Sequence, residues 1–456
     1  MNTVYKCTFF LALMIFPGLN KAWSQEQVSG FDFSLGGLGL VSSGSNNPFW
    51  MYSNQYGRQD AETHALALVQ AGYTFQLGGE NSLKLGGGLL ANDGIYEDVR
   101  ADELYVAYTN TWLQASAGLK HRDEKLSGIS SVGGDVVWSN NARALPGIYV
   151  EMLKPFPVFK WFEVKATFGH YFLEQARYVS NAQVHHKSVE LALVFGNGDR
   201  LSGTLKHYVQ YGGTSPQYGK QPSAFGDYIR VFFGSSGSET AFAGDQINVL
   251  GNALGSQEVA YEMKRDKFDL RFYHQNIFED GSGMMLKNFP DGVWGAYIEP
   301  KKIPWLDAFV VEYVQTVSQS GRFGNSGNGG NFNGGDSYFW NGIYQTGWSY
   351  QDRIIGLPFI IPGAYGQRNV NDRSFVYHLG ATGSISSWSY KAKLSAVTNL
   401  GTYNTPYQPK EQVFYAYGEL GYTTSFGLFT GYLGADLSNR TRDLLGAGLG
   451  YKYWFK

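Results

Sequence analysis

Three clusters of aromatic and polar residues have the composition of a carbohydrate-binding site. Sugars present flat C–H faces and rings of hydroxyls, which proteins hold with stacked aromatics beside amides, carboxylates and guanidinium groups. The clusters lie in "SGISSVGGDVVWSNNARALPG", "GDQINVLGNALGS" and "NIFEDGSGMMLKNFPDGVWG". Their candidate residues are Trp138, Asn140, Asn141, Arg143, Asp245, Asn252, Glu279, Asp280, Asp291 and Trp294. The alternative is a polar network that orders long loops, with Arg143 buried and paired to an acid.

Signatures of catalysis are missing from the sequence. It contains no HExxH, no GxSxG and no Walker-type GK[ST] motif. His185 and His186 are adjacent, and neighbouring residues of a strand point to opposite faces, so the pair is badly placed to share a metal ion. We therefore expect no enzyme activity, no cofactor and no metal site. A membrane hydrolase built from scattered Ser, His and acidic residues remains an alternative.

The composition is typical of a membrane barrel. Charged residues make up 16% of the 456 residues, against roughly 25% in soluble proteins. Aromatic residues also make up 16%, and there are 59 glycines. This mixture suits a wall with a lipid-facing outside, a watery inside and long polar loops. The net charge of −2 gives no strong field that would favour nucleic acid as a partner.

The N-terminus predicts export. Lys6 supplies a positive start, residues 9–16 form a short apolar core, and Ala22-Trp23-Ser24 is a plausible small-x-small cleavage site. Residues 1–24 are therefore expected to be a signal peptide, too short to span a membrane as a helix. The only cysteine, Cys7, would be lost with it. Residues 25–456 are expected to form one domain.

Segments with the period of a β-strand recur along that domain. In "HALALVQAGYTFQLG" the odd positions are apolar and most even ones are small or polar, which gives a strand one apolar face. The C-terminal "LLGAGLGYKYWFK" repeats the pattern, with aliphatic and aromatic residues at every second position. Several segments reach about ten residues, the length that crosses a bilayer at a tilt.

The loop lengths predict the topology. Eight short connections alternate with nine long ones, which gives eighteen strands. Long outer loops are expected near 121–146, 210–256, 279–292 and 319–372. Together these features predict an all-β transmembrane outer-membrane β-barrel of about 18 antiparallel strands, with short periplasmic turns and long extracellular loops. A soluble β-sandwich would not segregate its loop lengths in this way.

The last strand predicts how the barrel closes and inserts. It ends on Tyr451, Tyr453 and Phe455 on one face. This ending resembles the aromatic-terminated signal by which the insertion machinery recognises outer-membrane barrels. The outer-membrane lipid is then a second expected partner, and closure leaves no unpaired strand edge in hydrocarbon.

At the polar clusters the chain resembles the Wzi-type capsule assembly proteins, in the form found in Bacteroidetes. "WSNNARALPGI", "HHKSVELAL", "GNALGSQ" and "IFEDGSG…NFPDGVWG" occur in the expected order. The resemblance implies an eighteen-stranded outer-membrane barrel that binds and organises capsular or other surface polysaccharide as a lectin-like anchor, without catalysis.

A channel for saccharides or other solutes is the alternative function, because eighteen strands can enclose an aqueous lumen. The deciding feature is what fills that lumen. Loop 319–372 is long enough to fold inward and is rich in Tyr, Trp and apolar residues. It could plug the pore, or it could form an aromatic path for sugars inside it.

Overall fold

Eighteen antiparallel strands close into one barrel in the computed structural model, which describes residues 30–94, 99–237, 250–320 and 337–455. The predicted signal peptide and Asp245 lie outside these residues. The strands are β1 Gly30–Ser42, β2 Ala65–Gly78, β3 Asn81–Asn92, β4 Val99–Thr109, β5 Leu113–Leu119, β6 Pro146–Met152, β7 Phe162–Phe172, β8 Gln183–Val194, β9 Arg200–Tyr211, β10 Asn252–Lys264, β11 Phe268–Phe278, β12 Gly292–Pro300, β13 Ala308–Gln315, β14 Ser374–Ile385, β15 Trp388–Gly401, β16 Pro406–Thr424, β17 Gly427–Ser438 and β18 Leu444–Phe455.

Two details complete the sheet. The short segment Phe156–Phe159 continues β6, because both pieces pair with β7. β1 pairs with β18 from Phe33 opposite Phe455 to Ser42 opposite Gly446, which closes the barrel. The predicted strand number and the predicted closure by the last strand are therefore confirmed.

Connections at one end of the barrel are short and most of those at the other end are long, as the sequence predicts. We call these the short-turn end and the long-loop end. Two of the nine long connections are expected from the sequence at 400–411 and 438–443. The first is much shorter in the structure, where residues 402–405 join β15 and β16, because both strands extend further than their alternation suggested. The second agrees closely with residues 439–443, which join β17 and β18.

The outer face of the wall is apolar and the inner face is small or polar. On β18, Leu445, Leu449, Tyr451 and Phe455 all point outward and are exposed, Leu449 by 77%. Aromatic side chains are exposed near both ends of the outer face, including Trp161 and Phe426 near the short turns and Trp294 and Tyr377 near the long loops. Such aromatic girdles mark the two membrane interfaces of barrels. In the described residues, no helix is long and apolar enough to cross a membrane.

Three long connections fold into the barrel and form a plug. The plug consists of residues 43–64, 120–145 and 337–373. Trp50, Val136 and Trp348 are fully buried and belong to one hydrophobic cluster with wall residues. Inward folding was a hypothesis for 319–372 only. The prediction that 121–146 is an outer loop is wrong, because its apolar residues find cover only inside the wall.

Glycines on the inner face make room for the plug. A Cβ at Gly446 would lie 2.6 Å from Sδ of Met51, and a Cβ at Gly380 would lie 2.3 Å from the carbonyl oxygen of Ile129. Both distances are shorter than van der Waals contact. Gly446, the first glycine of "LLGAGLG", therefore leaves the space in which the plug residue Met51 packs.

Part of the 210–256 connection covers the outside of the wall. Helix Phe225–Phe233 packs Tyr228 and Phe232 on His185, which points outward from β8. His186 points inward and stacks on Tyr208 with 4.2 Å between ring centroids. The prediction that the two histidines face opposite sides is thus confirmed. The remaining short elements are helices Phe49–Tyr52 and Gly281–Met284, the 3-10 turn Leu126–Gly128, and two hairpins that pair Thr214–Ser215 with Gly219–Lys220 and Ser349–Tyr350 with Arg353–Ile354.

Candidate functional site

One glutamate of the wall is bonded to the middle segment of the plug, residues 120–145. Glu312 on β13 is 1% exposed. Its carboxylate accepts hydrogen bonds from the Ser130 hydroxyl at 2.7 Å and from the Ser131 backbone N–H at 2.6 Å, and also from the hydroxyls of Ser131 and Tyr273. Bonds to a buried charge are stronger than those between neutral groups. The segment is therefore fixed to β13 by a charged group with four donors.

Asp135 forms a second attachment of the same segment. One carboxylate oxygen accepts from the backbone N–H groups of Val137 and Trp138, which orders the turn. The other lies 3.0 Å from Nζ of Lys206 on β9. Burial raises the pKa of Asp135, but Lys206 and Lys125 lower it by more, so this pKa lies well below its ordinary value. Asp135 is therefore the negative partner of a buried ion pair between plug and wall.

Trp138 lies inside the barrel in an aromatic core. It is 8% exposed. Its ring centroid is 4.9 Å from that of Tyr171, 5.6 Å from that of Tyr208 and 5.9 Å from that of Trp348. The guanidinium of Arg122 covers it at 3.8 Å. Trp138 thus packs between plug and wall, and it is not the open stacking platform that the sequence predicted.

The other residues of the first cluster also join plug segments. The Asn141 side chain accepts from Asn54 N–H at 3.2 Å and donates to the Ile354 carbonyl at 2.9 Å. The backbone carbonyl of Asn140 accepts from Tyr56 N–H. Arg143 donates to the side chain of Gln351 and to the Ala101 carbonyl. The asparagine contacts are those of the alternative interpretation, a polar network that orders the loops. Arg143 differs from that interpretation, because it is only half-buried and both of these contacts are to neutral groups, an amide and a carbonyl.

The acidic residues of the third cluster bond within their own loop and to more distant segments, including the plug. Glu279 accepts from Phe339 N–H, and Asp280 caps the helix that begins at Gly281. Asp291 is fully buried and accepts from the Tyr338 hydroxyl at 2.8 Å. It also accepts from the backbone N–H groups of residues 317–319. Burial raises the pKa of Asp291, although these donors oppose the shift.

The remaining candidates lie apart from one another. Asn252, 5% exposed, donates to the side chain of Gln210 at 2.7 Å inside the barrel. Trp294 lies on the outside of β12, stacked on His274 with 3.8 Å between centroids. The hydrogen bonds of Arg143 described above go to Gln351 and Ala101, whereas those of Asp291 come from Tyr338 and residues 317–319. These bonds do not join the cationic candidate to the acidic ones.

The long-loop end carries a set of aromatic residues that the candidate residues did not include. Arg368 covers Trp340 at 4.3 Å, Arg373 covers Tyr403 at 3.8 Å and Arg440 covers Tyr407 at 4.3 Å. Tyr365, 64% exposed, lies 5.9 Å from Tyr178 between ring centroids. We define the arginine–aromatic rim as Tyr178, Trp340, Tyr365, Arg368, Arg373, Tyr403, Tyr407 and Arg440. The aromatic content of 319–372 indicated part of this rim in the sequence. Nothing in the sequence indicated that side chains from separate loops would pair.

The rim has the chemistry that the three clusters were expected to have. Its aromatic rings offer apolar faces, and its guanidinium groups offer fixed donors beside them. Among the described residues, no group of three or more His, Cys, Asp and Glu is placed to hold a metal ion.

Comparisons with known proteins give a family and a set of remote structural likenesses. The family model described as capsule assembly protein Wzi matches residues 46–359, more than half of the chain. No curated protein matches the sequence significantly.

Among solved structures, OpdQ of Pseudomonas aeruginosa is 10% identical, with 94% of this chain and 97% of that chain covered and a TM-score of 0.49. The BenF-like porin from Pseudomonas fluorescens Pf-5 is 8% identical, with 94% and 99% covered and a TM-score of 0.49. OccAB4 of Acinetobacter baumannii is 9% identical, with 93% and 97% covered and a TM-score of 0.48. These likenesses are too remote to transfer a function.

Proposed function

The chain belongs to the Wzi family of capsule assembly proteins, and from this premise we propose that it binds surface polysaccharide and anchors it to the outer membrane, without catalysis. We also propose that it is of the form found in Bacteroidetes, that residues 1–24 are removed as a signal peptide, that residues 25–456 form one domain, and that the long-loop end faces the cell exterior. The aromatic-ended strand β18 would then be read by the insertion machinery.

The filled lumen is the observation that carries this proposal. Plug residues contact the inner wall around much of its circumference, on β9 through Lys206, on β13 through Glu312 and on β15 through Ser395, which accepts from the Trp50 indole N–H at 3.1 Å. A barrel filled by a buried apolar core is better suited to anchoring than to conduction. The alternative, a solute channel, would gain support from steady conductance in planar bilayers.

We place the polysaccharide on the arginine–aromatic rim. The ten residues predicted from the sequence would then act mainly by ordering the loops that carry the rim, with Asp245 outside the described residues. Tyr365 and Arg368 are both exposed, so a glycan could reach them. An aromatic contact contributes about 0.5–1.5 kcal/mol, and a polymer that contacts several rim residues at once gains avidity.

The test is capsule retention in a double variant, Tyr365→Ala with Arg368→Gln. Phe426→Ala is the matched control, because Phe426 is a comparably exposed aromatic residue, 75%, at the short-turn end. Cells with the double variant should release capsule into the medium, while both variants migrate as folded, heat-modifiable barrels. Purified capsular polysaccharide should also bind the double variant more weakly than it binds the control. Equal retention and equal binding in both variants would refute the rim assignment.

A further inference from the structure

Arg122 is a cation of the plug with an unusual set of neighbours. One terminal nitrogen donates to the Tyr208 hydroxyl at 3.1 Å and the other to the Tyr171 hydroxyl at 3.1 Å. Its guanidinium lies over the ring of Trp138 and 5.2 Å from the ring centroid of Tyr149. Its Nε–H is buried and has no hydrogen-bond partner among the described residues. Arg122 is thus surrounded by tyrosine and tryptophan.

Two other arginines of the lumen are paired with acids. Arg200 contacts the carboxylates of Glu163, Glu190 and Glu262, and Arg271 contacts those of Glu258 and Glu262. Within the described ranges no ion pair joins Arg122 to a carboxylate. An enclosed charge without a counter-ion is costly. Tyrosine dipoles and the ring of Trp138 offset part of that cost, and Asp135, whose carboxylate is already paired with Lys206, attracts Arg122 from beyond ion-pair distance.

A polar cavity adjoins this guanidinium. It has a volume of about 400 Å³ and is lined by both charge types, the cations Arg122, Lys125, Lys165, Lys206 and Arg271 and the carboxylates Asp135, Glu151, Glu190 and Glu258, beside Tyr149 and Tyr208. That volume lies within the range of small-molecule sites, about 300–1,000 Å³. Lys206 is neutralised by Asp135 and Glu258, and Lys125 lies 3.7 Å from Asp135. Arg271 is paired with Glu258 and Glu262, so among the described residues Arg122 and Lys165 are the lining cations without an ion pair, and of these two Arg122 offers a guanidinium fork.

We propose that the cavity binds a small anion, or the acidic group of a saccharide, through the guanidinium of Arg122. The ligand class is a carboxylate, sulfate or phosphate, whose planar or tetrahedral oxygens accept from the guanidinium fork. Tyr149 and Tyr208 add hydroxyl groups within the same cavity. This site lies inside the barrel and is separate from the rim, so neither proposal depends on the other.

The experiment measures binding to the full-length folded barrel in detergent and low-salt buffer, by calorimetry, with three probes. Sodium glucuronate and sodium sulfate represent the two sources of the anion, and glucose is the neutral control. Both anions, or one of them, should bind while glucose does not. A preference for glucuronate over sulfate would identify a sugar acid as the ligand, and the reverse preference would identify an inorganic anion.

Arg122→Met should weaken anion binding on the order of tenfold to a hundredfold, since hydrogen bonds to a charged group contribute about 1.5–3 kcal/mol. Arg122→Lys should retain part of the binding because it keeps the charge. The matched control is Arg265→Met, which removes an arginine paired with Asp199 at the short-turn end and should leave binding unchanged.

The proposal fails if wild-type barrel binds neither anion, or if Arg122→Met binds them as the wild type does. If Arg122→Met does not fold, the comparison of glucuronate and sulfate with glucose on the wild type and on Arg122→Lys decides the question. Binding of glucose as tight as that of glucuronate would also overturn the assignment, because a neutral sugar has no group that requires the guanidinium charge.

Discussion

Replacing Glu312 with glutamine should loosen the middle segment of the plug without unfolding the wall. The carboxylate of Glu312 accepts four hydrogen bonds, three of them from Ser130 and Ser131 of the plug and one from Tyr273 of the wall. Glutamine has nearly the same shape and keeps one acceptor oxygen. The substitution therefore removes the charge while leaving the packing intact.

The magnitude follows from the change in bond type. A hydrogen bond to a charged group contributes about 1.5–3 kcal/mol and a neutral one about 0.5–1.5 kcal/mol, so the two bonds at the retained oxygen lose roughly 1 kcal/mol each. The two bonds at the other position are lost, because the glutamine NH2 group cannot accept them. Removing a buried charge returns part of this free energy. We expect the segment to be held more weakly by about 2–3 kcal/mol, which corresponds to local opening that is roughly 30-fold to 150-fold more frequent.

Hydrogen exchange of the folded barrel measures this opening. In Glu312→Gln the amides of residues 129–138, which include the bonded N–H of Ser131, should exchange faster, while those of β18 should not change. The control is Glu262→Gln, another inner-wall carboxylate, which pairs with Arg200 and Arg271 and not with the plug. Unchanged exchange in 129–138, or equal acceleration in both variants, would refute the attachment through Glu312.

Three further predictions concern the core, the ion pair and the outer wall. Trp138→Ala should lower the stability of the barrel by about 3–5 kcal/mol, the range for truncating a buried tryptophan, and the heat-modifiability midpoint should fall; an unchanged midpoint would mean that Trp138 is not in the core. Asp135→Asn should be less stable than wild type at neutral pH. Since the pKa of Asp135 is lowered in the folded state, its contribution is present above its unfolded pKa of about 3.9 and is lost as the pH falls through the folded value. The difference in unfolding midpoint should thus shrink only below about pH 4, and a difference that disappears between pH 7 and 5 would contradict this. Leu449→Arg, on the exposed middle of β18, should cost about 2–4 kcal/mol and Leu445→Arg, nearer the strand end, clearly less, as measured by urea unfolding in lipid vesicles; equal effects would argue against a lipid-facing outer wall.

The wall could be predicted from the sequence because its signal is local. Alternation along a strand assigns each side chain to a face, and a short turn fixes the next strand beside it. In the segment from Leu445 to Phe455, this alternation alone separates the apolar residues that face outward from the glycines that face inward. Strand ends were less accurate near 400–411, where β15 and β16 continue through residues that lack clear alternation.

The plug could not be predicted in the same way, because its contacts join residues far apart in the sequence. Ser131 meets Glu312, and Trp138 meets both Tyr208 and Trp348. No periodicity relates these positions. The sequence did indicate that Trp138, Asn140 and Asn141 are unlike ordinary loop residues, but the same composition fits a sugar site and a buried polar network. Only the burial of each side chain distinguishes the two, and burial here depends on the inward fold of the loop.

The plug has a consequence for recognition at the long-loop end. Arg368 and Trp340 belong to a segment whose neighbouring residues, Phe339 and Trp348, are fully buried within the barrel. A rim mounted on a buried core loses little conformational freedom when a ligand binds, and this pre-organisation lowers the entropic cost of association. Long loops that were free in solvent would have to be ordered by each polysaccharide chain. Under the proposed function, the plug therefore has two roles: it fills the lumen, and it supports the binding surface that we place at the mouth of the barrel.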